Sequence, residues 1–284
     1  MAEFRLTQIS DTHLTRNFTK LTENFRSVSE HIDASRPDLV VNTGDVSWDG
    51  PTSRADLEFA RELHAALPVD CRYLPGNHDI GDNPTAFGAG SPCPATEELR
   101  DTFVSVFSED RWQFEAANWR FIGLNSVIMN TGIPSELEQE EWLTAQLEGA
   151  RGKPIALFLH KPLFLNTPGD PEEAATAIRF VPQPDRARLV TLLGAYNVRL
   201  VASGHVHQRR DFTYAQNAAH LDAVGRIHRP GSPAGRDRRQ GDRARRVPVS
   251  SRKLRGPAHS RGRSDQYQPG RTHSQLTPRP LLRA

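Results

Sequence analysis

The chain has 284 residues, 37% of them hydrophobic, which fits one ordinary globular domain with additional sequence. Its two cysteines, Cys71 and Cys93, exclude a disulfide framework and a Cys-x-x-Cys metal site, and no apolar run approaches the roughly 20 residues a membrane span needs. The net charge of +2 hides a split: residues 1–220 carry 20 Lys and Arg against 30 Asp and Glu, whereas residues 221–284 carry 16 against 4.

Phe4–Ser10 alternates as a strand from the outset, so no signal peptide is expected and a reducing cytoplasm is the expected compartment. A loop holding Asp11 and His13 follows. Leu21, Phe25, Val28 and Ile32 then recur at helical spacing. Residues 38–42 read as a short buried strand ending at Gly44-Asp45. Thr52 is the expected N-cap of a helix that turns Leu57, Ala60, Leu63 and Leu67 inward. Residues 71–74 form a strand ending at Gly76-Asn77-His78-Asp79.

Gly81 to Pro94 reads as a long loop beside that motif. Residues 96–107 read as a helix. Two strands, 112–115 and 119–124, flank Ala117-Asn118 as a hairpin. A helix over 136–147 and a strand over 155–159 lead to His160. A helix over 184–193 and a strand over 199–202 lead to Gly204-His205-Val206-His207, and 210–214 is a further candidate strand. The pattern is repeated: an apolar strand, then a polar motif at its C-terminal end, which is where sites form in open α/β sheets.

Asp, Asn and His together suit borderline to hard metals such as manganese, iron or zinc. Each motif alone has an ordinary structural reading. Asp-Thr-His is a turn and cap, Gly-Asp a turn, Asn-His-Asp a capping cluster, and His160 a satisfied core histidine. All five motifs at strand ends, in this order, point to one site.

The set resembles the calcineurin-like metallophosphoesterase family, whose pattern is Asp-x-His, Gly-Asp, Gly-Asn-His-Asp/Glu, His and Gly-His-x-His. Leu6–Leu14 looks most like the class III cyclic-nucleotide phosphodiesterases. The resemblance spans about residues 4–215. It implies a four-layer αββα sandwich of the metallo-dependent phosphatase type. It also implies two metal ions, one on Asp11, His13, His207 and a bridging Asp45, the other on Asp45, Asn77, His160 and His205. His78 would face the phosphate and Asp79 would orient its ring. Two such ions lower the pKa of a shared water and give a hydroxide for in-line attack on phosphorus. The implied activity is phosphodiester hydrolysis of cyclic nucleotides or related small molecules. A phosphomonoesterase with the same metals is the near alternative. Lys161 follows His160 where many relatives carry a second His; it reads either as added charge near a phosphate or as a solvated side chain before the Pro162 turn.

Residues 221–284 are rich in Arg, Pro, Gly, Ser and His, lack Glu, and hold one aromatic residue, Tyr267. Such a segment buries too little apolar surface to offset its ordering entropy. The expected organisation is therefore a catalytic domain over 1–220 and a basic, unstructured tail over 221–284. The fold is then expected to lack its usual C-terminal strands. The tail reads as a basic arm for nucleic acid or an anionic membrane, although stacking aromatics are absent. It also reads as an out-of-frame translation, since codons for 221–229 shifted by one nucleotide can encode Trp-Met-Pro-Ser-Ala-Gly-Phe-Ile-Val. On those readings the product is weakly folded or inactive, or a non-catalytic nucleic-acid-binding scaffold. Oligomeric state is not encoded in any feature of the sequence.

Overall fold

Alternation of apolar side chains along the strands decides the architecture. The computed structural model describes residues 4–84, 93–171, 173, 177–208, 210–216, 219–225 and 250–254. The elements run β1 (Phe4–Ile9), α1 (Thr19–Ser35), β2 (Leu39–Asn42), α2 (Arg54–Ala65), β3 (Cys71–Tyr73), the one-turn α3 (Asn77–Ile80), α4 (Glu97–Phe107), β4 (Trp112–Ala116), β5 (Trp119–Leu124), α5 (Pro134–Gly149), β6 (Ile155–Leu159), α6 (Asp185–Gly194), β7 (Val198–Ser203), β8 (Arg210–Gln216), β9 (Ala219–Gly225) and β10 (Ser250–Leu254).

The strands form two sheets, ordered β10-β1-β2-β3 and β4-β5-β6-β7-β9-β8. Within each, the central strands are parallel, β1 with β2 and β2 with β3, β5 with β6 and β6 with β7. Along β6, Ala156 and Phe158 enter a cluster with Leu6, Val41, Leu74 and Trp112, which is the core between the sheets. Ile155, Leu157 and Leu159 point the other way, to Leu143 and Leu147 of α5 and Leu189 and Leu193 of α6. In β2, Val41 faces the inner core while Val40 packs with Phe25, Val28 and Ile32 of α1 and Leu57 of α2. The order is thus helices, sheet, sheet, helices, the four-layer sandwich expected. Each large apolar side chain fully buried here contributes about 1.5–3 kcal/mol. Trp112 ties the sheets together, its Nε1 donating to the Tyr73 carbonyl at 2.8 Å.

Local signals set the element ends. Phe25, Val28 and Ile32 of α1 are buried as their spacing predicts. The N-cap of α2 is Ser53 rather than Thr52, because its side chain accepts the Asp56 amide. Thr96 caps α4 through the Leu99 amide. Ala117 and Asn118 both take positive φ, 47° and 63°, closing the β4–β5 hairpin with the twist that two-residue turns favour.

The boundary expected at residue 220 falls inside β9. That strand pairs antiparallel with β8 from Gln216↔Ala219 to Arg210↔Gly225 and parallel with β7. β10 pairs antiparallel with β1, Phe4 opposite Leu254. Strand pairing therefore continues into the segment expected to be unstructured and supplies two C-terminal strands. Composition averaged over a long segment passes over short runs such as 219–225 and 250–254. The rest of the expected tail lies outside the described residues, as does most of the Gly81–Pro94 loop. Among the described residues no helix is long and apolar enough to cross a membrane.

Candidate metal centre

Five strand ends deliver the motifs to one place. The loops after β1 and β2 are zipped by main-chain bonds: Asp11 N to Gly44 O, His13 N to Asp45 O and Leu14 N to Val46 O, each 2.9 Å. The loop after β7 meets the same place, since the His205 amide donates to both Asp11 carboxylate oxygens at 3.1 and 3.2 Å. The His78 amide donates to Asp45 Oδ1 at 2.9 Å, bringing in the loop after β3.

The side chains fall into two donor sets that share Asp45. Asp11, His13, Asp45 and His207 form one, and Asp45, His160 and His205 the other; within each set the donor atoms lie within 4.8 Å of one another. His13 Nε2 is 3.3 Å from His207 Nε2 and 3.7 Å from Asp45 Oδ2. His207 Nε2 is 3.4 Å from Asp11 Oδ1. His160 Nε2 lies 3.3 Å from Asp45 Oδ1 and 3.2 Å from Asn77 Oδ1, which adds Asn77 to the second set. Donors each about 2.1 Å from one ion sit roughly 3 to 3.5 Å apart, so the spacing fits metal binding.

Ring orientation supports the same fit. Ligating imidazoles commonly donate their other N–H to a carbonyl. His160 Nδ1 faces the Thr43 carbonyl at 2.9 Å and His205 Nε2 the Ile178 carbonyl at 2.9 Å. The remaining nitrogen of each ring is left for the cluster.

The charges are crowded, and Asp11, His13, Asp45 and His160 are buried. Burial opposes a charged His160, yet Asp45 and Asp11 beside it outweigh burial and push the ring up to about 9. Burial likewise opposes ionised Asp45, but His160 and His13 hold it well below the usual carboxylate range. Burial, with the Asp45 charge adding to it, raises Asp11 to about 7. Burial lowers His13 to about 3, assisted by the neighbouring His78 and His207 rings. Opposite shifts in touching groups are what carboxylates and imidazoles packed into one buried cluster impose on one another.

Backbone strain concentrates here. Asp11, His13, Asp45, His205 and His207 all have positive φ, between 46° and 70°. Such residues cost of order 1–3 kcal/mol each and persist where surroundings over-determine them. Two glycines make the close approach possible. A Cβ on Gly76 would collide with Asp45 Oδ1 and the Asp45 amide, and one on Gly204 with Ser10 Oγ and, at 2.6 Å, Asp11 Oδ2. At Gly76, with φ of −109°, the missing side chain matters rather than a sharp turn.

All eight residues of the expected set, the seven donors and His78, are brought together. Asp79 departs from expectation. Its carboxylate accepts from the amides of Val46, Ser47 and Gly76 and from Ser47 Oγ, at 2.7 to 3.0 Å. It clamps the loop after β2 to the loop after β3. The His78 ring is oriented instead by the Trp48 carbonyl, 2.7 Å from Nδ1. Lys161 also departs: it is fully buried, with Nζ 2.5 Å from Asp82 Oδ1 and 2.6 Å from Asn83 Oδ1. Its cation is compensated by a carboxylate distant in sequence, which strand-end reasoning did not foresee. The Thr43, Trp48 and Ile178 carbonyls were also missed, because main-chain acceptors leave no residue signature.

Residues 4–209 match the family model described as calcineurin-like phosphoesterase. The chain belongs to the calcineurin-like phosphoesterase family. That family comprises metal-dependent phosphoric ester hydrolases, the enzyme class expected from the motifs. A serine/threonine-protein phosphatase of Rattus norvegicus is 27% identical to this calcineurin-like chain over 190 residues, covering 63% of the chain and 56% of the relative. A 3′,5′-cyclic-nucleotide phosphodiesterase of Nostoc sp. is 28% identical over 215 residues, 72% of the chain and 71% of the relative. The chain thus spans little more than half the length of the rat relative. Among solved structures, a dimetal phosphatase from Danio rerio superposes with a TM-score of 0.53 at 16% identity, over 78% of this chain and 86% of that one, a likeness of fold.

Proposed function

We propose that this chain is a dinuclear metal-dependent phosphodiesterase acting on cyclic nucleotides or related small phosphodiesters. The observation that carries the reading is the membership of Asp45 in both donor sets. One carboxylate with two oxygens, at the seam of two clusters, suits a bridge between two ions. Asp11, His13, Asp45 and His207 would hold one ion, and Asp45, Asn77, His160 and His205 the other. Bound there, manganese, iron or zinc supplies Lewis acidity and lowers the pKa of water near the phosphorus.

The protein's own groups do the rest. The zipped loops fix the donors before substrate arrives, so little reorganisation is needed. His78 is half-buried, its ring centroid 4.5 Å from that of His13. Nδ1 donates to the Trp48 carbonyl, so in the doubly protonated ring Nε2–H is the donor left to hold a phosphoryl oxygen or pass a proton to the leaving oxygen. The diester preference is supported by the cyclic-nucleotide phosphodiesterase relative. The phosphatase relative favours the alternative, a phosphomonoesterase with the same donors.

Hydrolysis of bis(p-nitrophenyl) phosphate, p-nitrophenyl phosphate and 3′,5′-cyclic AMP with added manganese tests the reading. Turnover of the diesters is expected. Turnover of the monoester alone moves the assignment to a phosphatase, and no turnover of any overturns it.

A further inference from the structure

Among the described residues, five large hydrophobic side chains are exposed, and one of them, Trp48, packs against rings of the metal centre while a second, Phe18, packs against Trp48. Phe18 is 47% exposed and Trp48 39%. Their rings meet edge to face, centroids 4.9 Å apart and planes at 66°. Trp48 lies 5.9 Å from the ring of His13 and 5.9 Å from that of His78. The main-chain carbonyl of Ile178 faces His205 of the second donor set.

The aromatic pair is held in place. Trp48 N donates to Leu14 O at 3.1 Å, next to a parallel bridge between Leu14 and Ser47. The segments that carry the aromatics are therefore the ones that carry Asp11, His13 and Asp45. Phe18 immediately precedes α1, so its backbone is anchored by that helix. Single exposed apolar residues need no explanation, but a contacting pair beside a polar donor cluster does. Two side chains fall far short of the surface a protein partner requires, roughly 800 Å² a side. They match one flat ring.

We propose that Trp48 and Phe18 form a binding subsite for a planar aromatic group, such as a nucleobase, carried by the ester whose phosphate sits at the metal centre. The subsite rests on the phosphoric-ester reading above. Every base presents a π-face, so a stacking platform tolerates many bases while discriminating against esters that have none. This gives the enzyme a preference for nucleotide esters over aliphatic ones without hydrogen-bond readout of the base.

The test compares 3′,5′-cyclic AMP with ribose 3′,5′-cyclic phosphate bearing hydrogen at C1′, using the manganese-loaded full chain. The ratio of kcat/KM, base-bearing over base-free, is expected to fall about tenfold or more in Trp48→Ala, within the range base stacking commands, mainly through KM. Phe18→Ala should lower it less, and Trp48→Phe should restore most of it. Metal content measured on each variant separates loss of the platform from damage to the donors. Tryptophan fluorescence gives a second readout: 5′-AMP should quench the wild type and quench Trp48→Phe much less. An unchanged ratio in both alanine variants with metal content intact overturns the subsite. If the wild type hydrolyses neither ester, the phosphoric-ester reading fails instead. The fluorescence titration then judges the subsite alone, and equal quenching in wild type and Trp48→Phe rejects it.

Discussion

The imidazole Nδ1 of His78 lies 2.7 Å from the main-chain oxygen of Trp48, whereas Asp79, its neighbour in sequence, gives both carboxylate oxygens to three amides and a hydroxyl. Adjacent residues in one motif thus do different work. Asp79→Ala strands several buried donors, each costing about 1–3 kcal/mol. A large fall in Tm and loss of metal uptake are expected. His78→Ala should keep the fold and the metal while lowering diester hydrolysis by about 10²–10⁴. Calorimetry, elemental analysis and kinetics on the two variants check the split. Normal stability of Asp79→Ala, with activity as low as that of His78→Ala, would return Asp79 to the role of ring orienter.

Gly76→Ala should be more damaging than its size suggests. The added methyl meets the Asp45 carboxylate and amide and, at 2.8 Å, His160 Cε1. Both donor sets share Asp45, so both should lose affinity. Metal titration of the variant is expected to show weakened uptake throughout. Wild-type uptake would mean that the two loops are less closely opposed than described.

A pH effect is expected away from the metal centre. His64 is buried, with Nδ1 at the Ala60 carbonyl and Nε2 3.0 Å from Asn42 Nδ2. Burial lowers its pKa from 6.5 to about 4. The unfolded chain therefore binds a proton first as pH falls. The stability present above pH 6.5 is lost progressively down to about pH 4, by roughly 3 kcal/mol. Denaturant melts across that window should show this loss, and His64→Gln should flatten it. An unchanged slope in His64→Gln would assign the effect to other groups.

Metal binding should stabilise the fold, because the donors converge only in the folded chain. An ion at 100 times its Kd adds about 2.7 kcal/mol per site. Adding manganese to chelator-treated protein should raise Tm in a concentration-dependent way, and a chelator should reverse it. A Tm indifferent to manganese would count against a resident metal.

Sequence showed the fold wherever side-chain periodicity reported sidedness. Leu21, Phe25, Val28 and Ile32 marked the inner face of α1, and the apolar run 155–159 marked the strand that delivers His160. The donor set was legible because its residue types are chemically specific and sit at strand ends. The left-handed backbone of Asp11, His13, Asp45, His205 and His207 was not, since local sequence favours Gly or Asn there and tertiary hydrogen bonds impose the conformation. Lys161 was misread because its partners, Asp82 and Asn83, are far away in sequence. Beyond residue 220, composition carried no trace of β9 and β10, whose pairing rests on main-chain bonds to β7, β8 and β1.

The shared carboxylate of Asp45 joins the two donor sets, and metal stoichiometry tests that joint most directly. Elemental analysis of manganese-loaded protein should give two ions per chain, and Asp45→Ala should lose both together. A single ion per chain in the wild type, or one ion firmly retained by Asp45→Ala, would contradict a centre built around one bridging carboxylate.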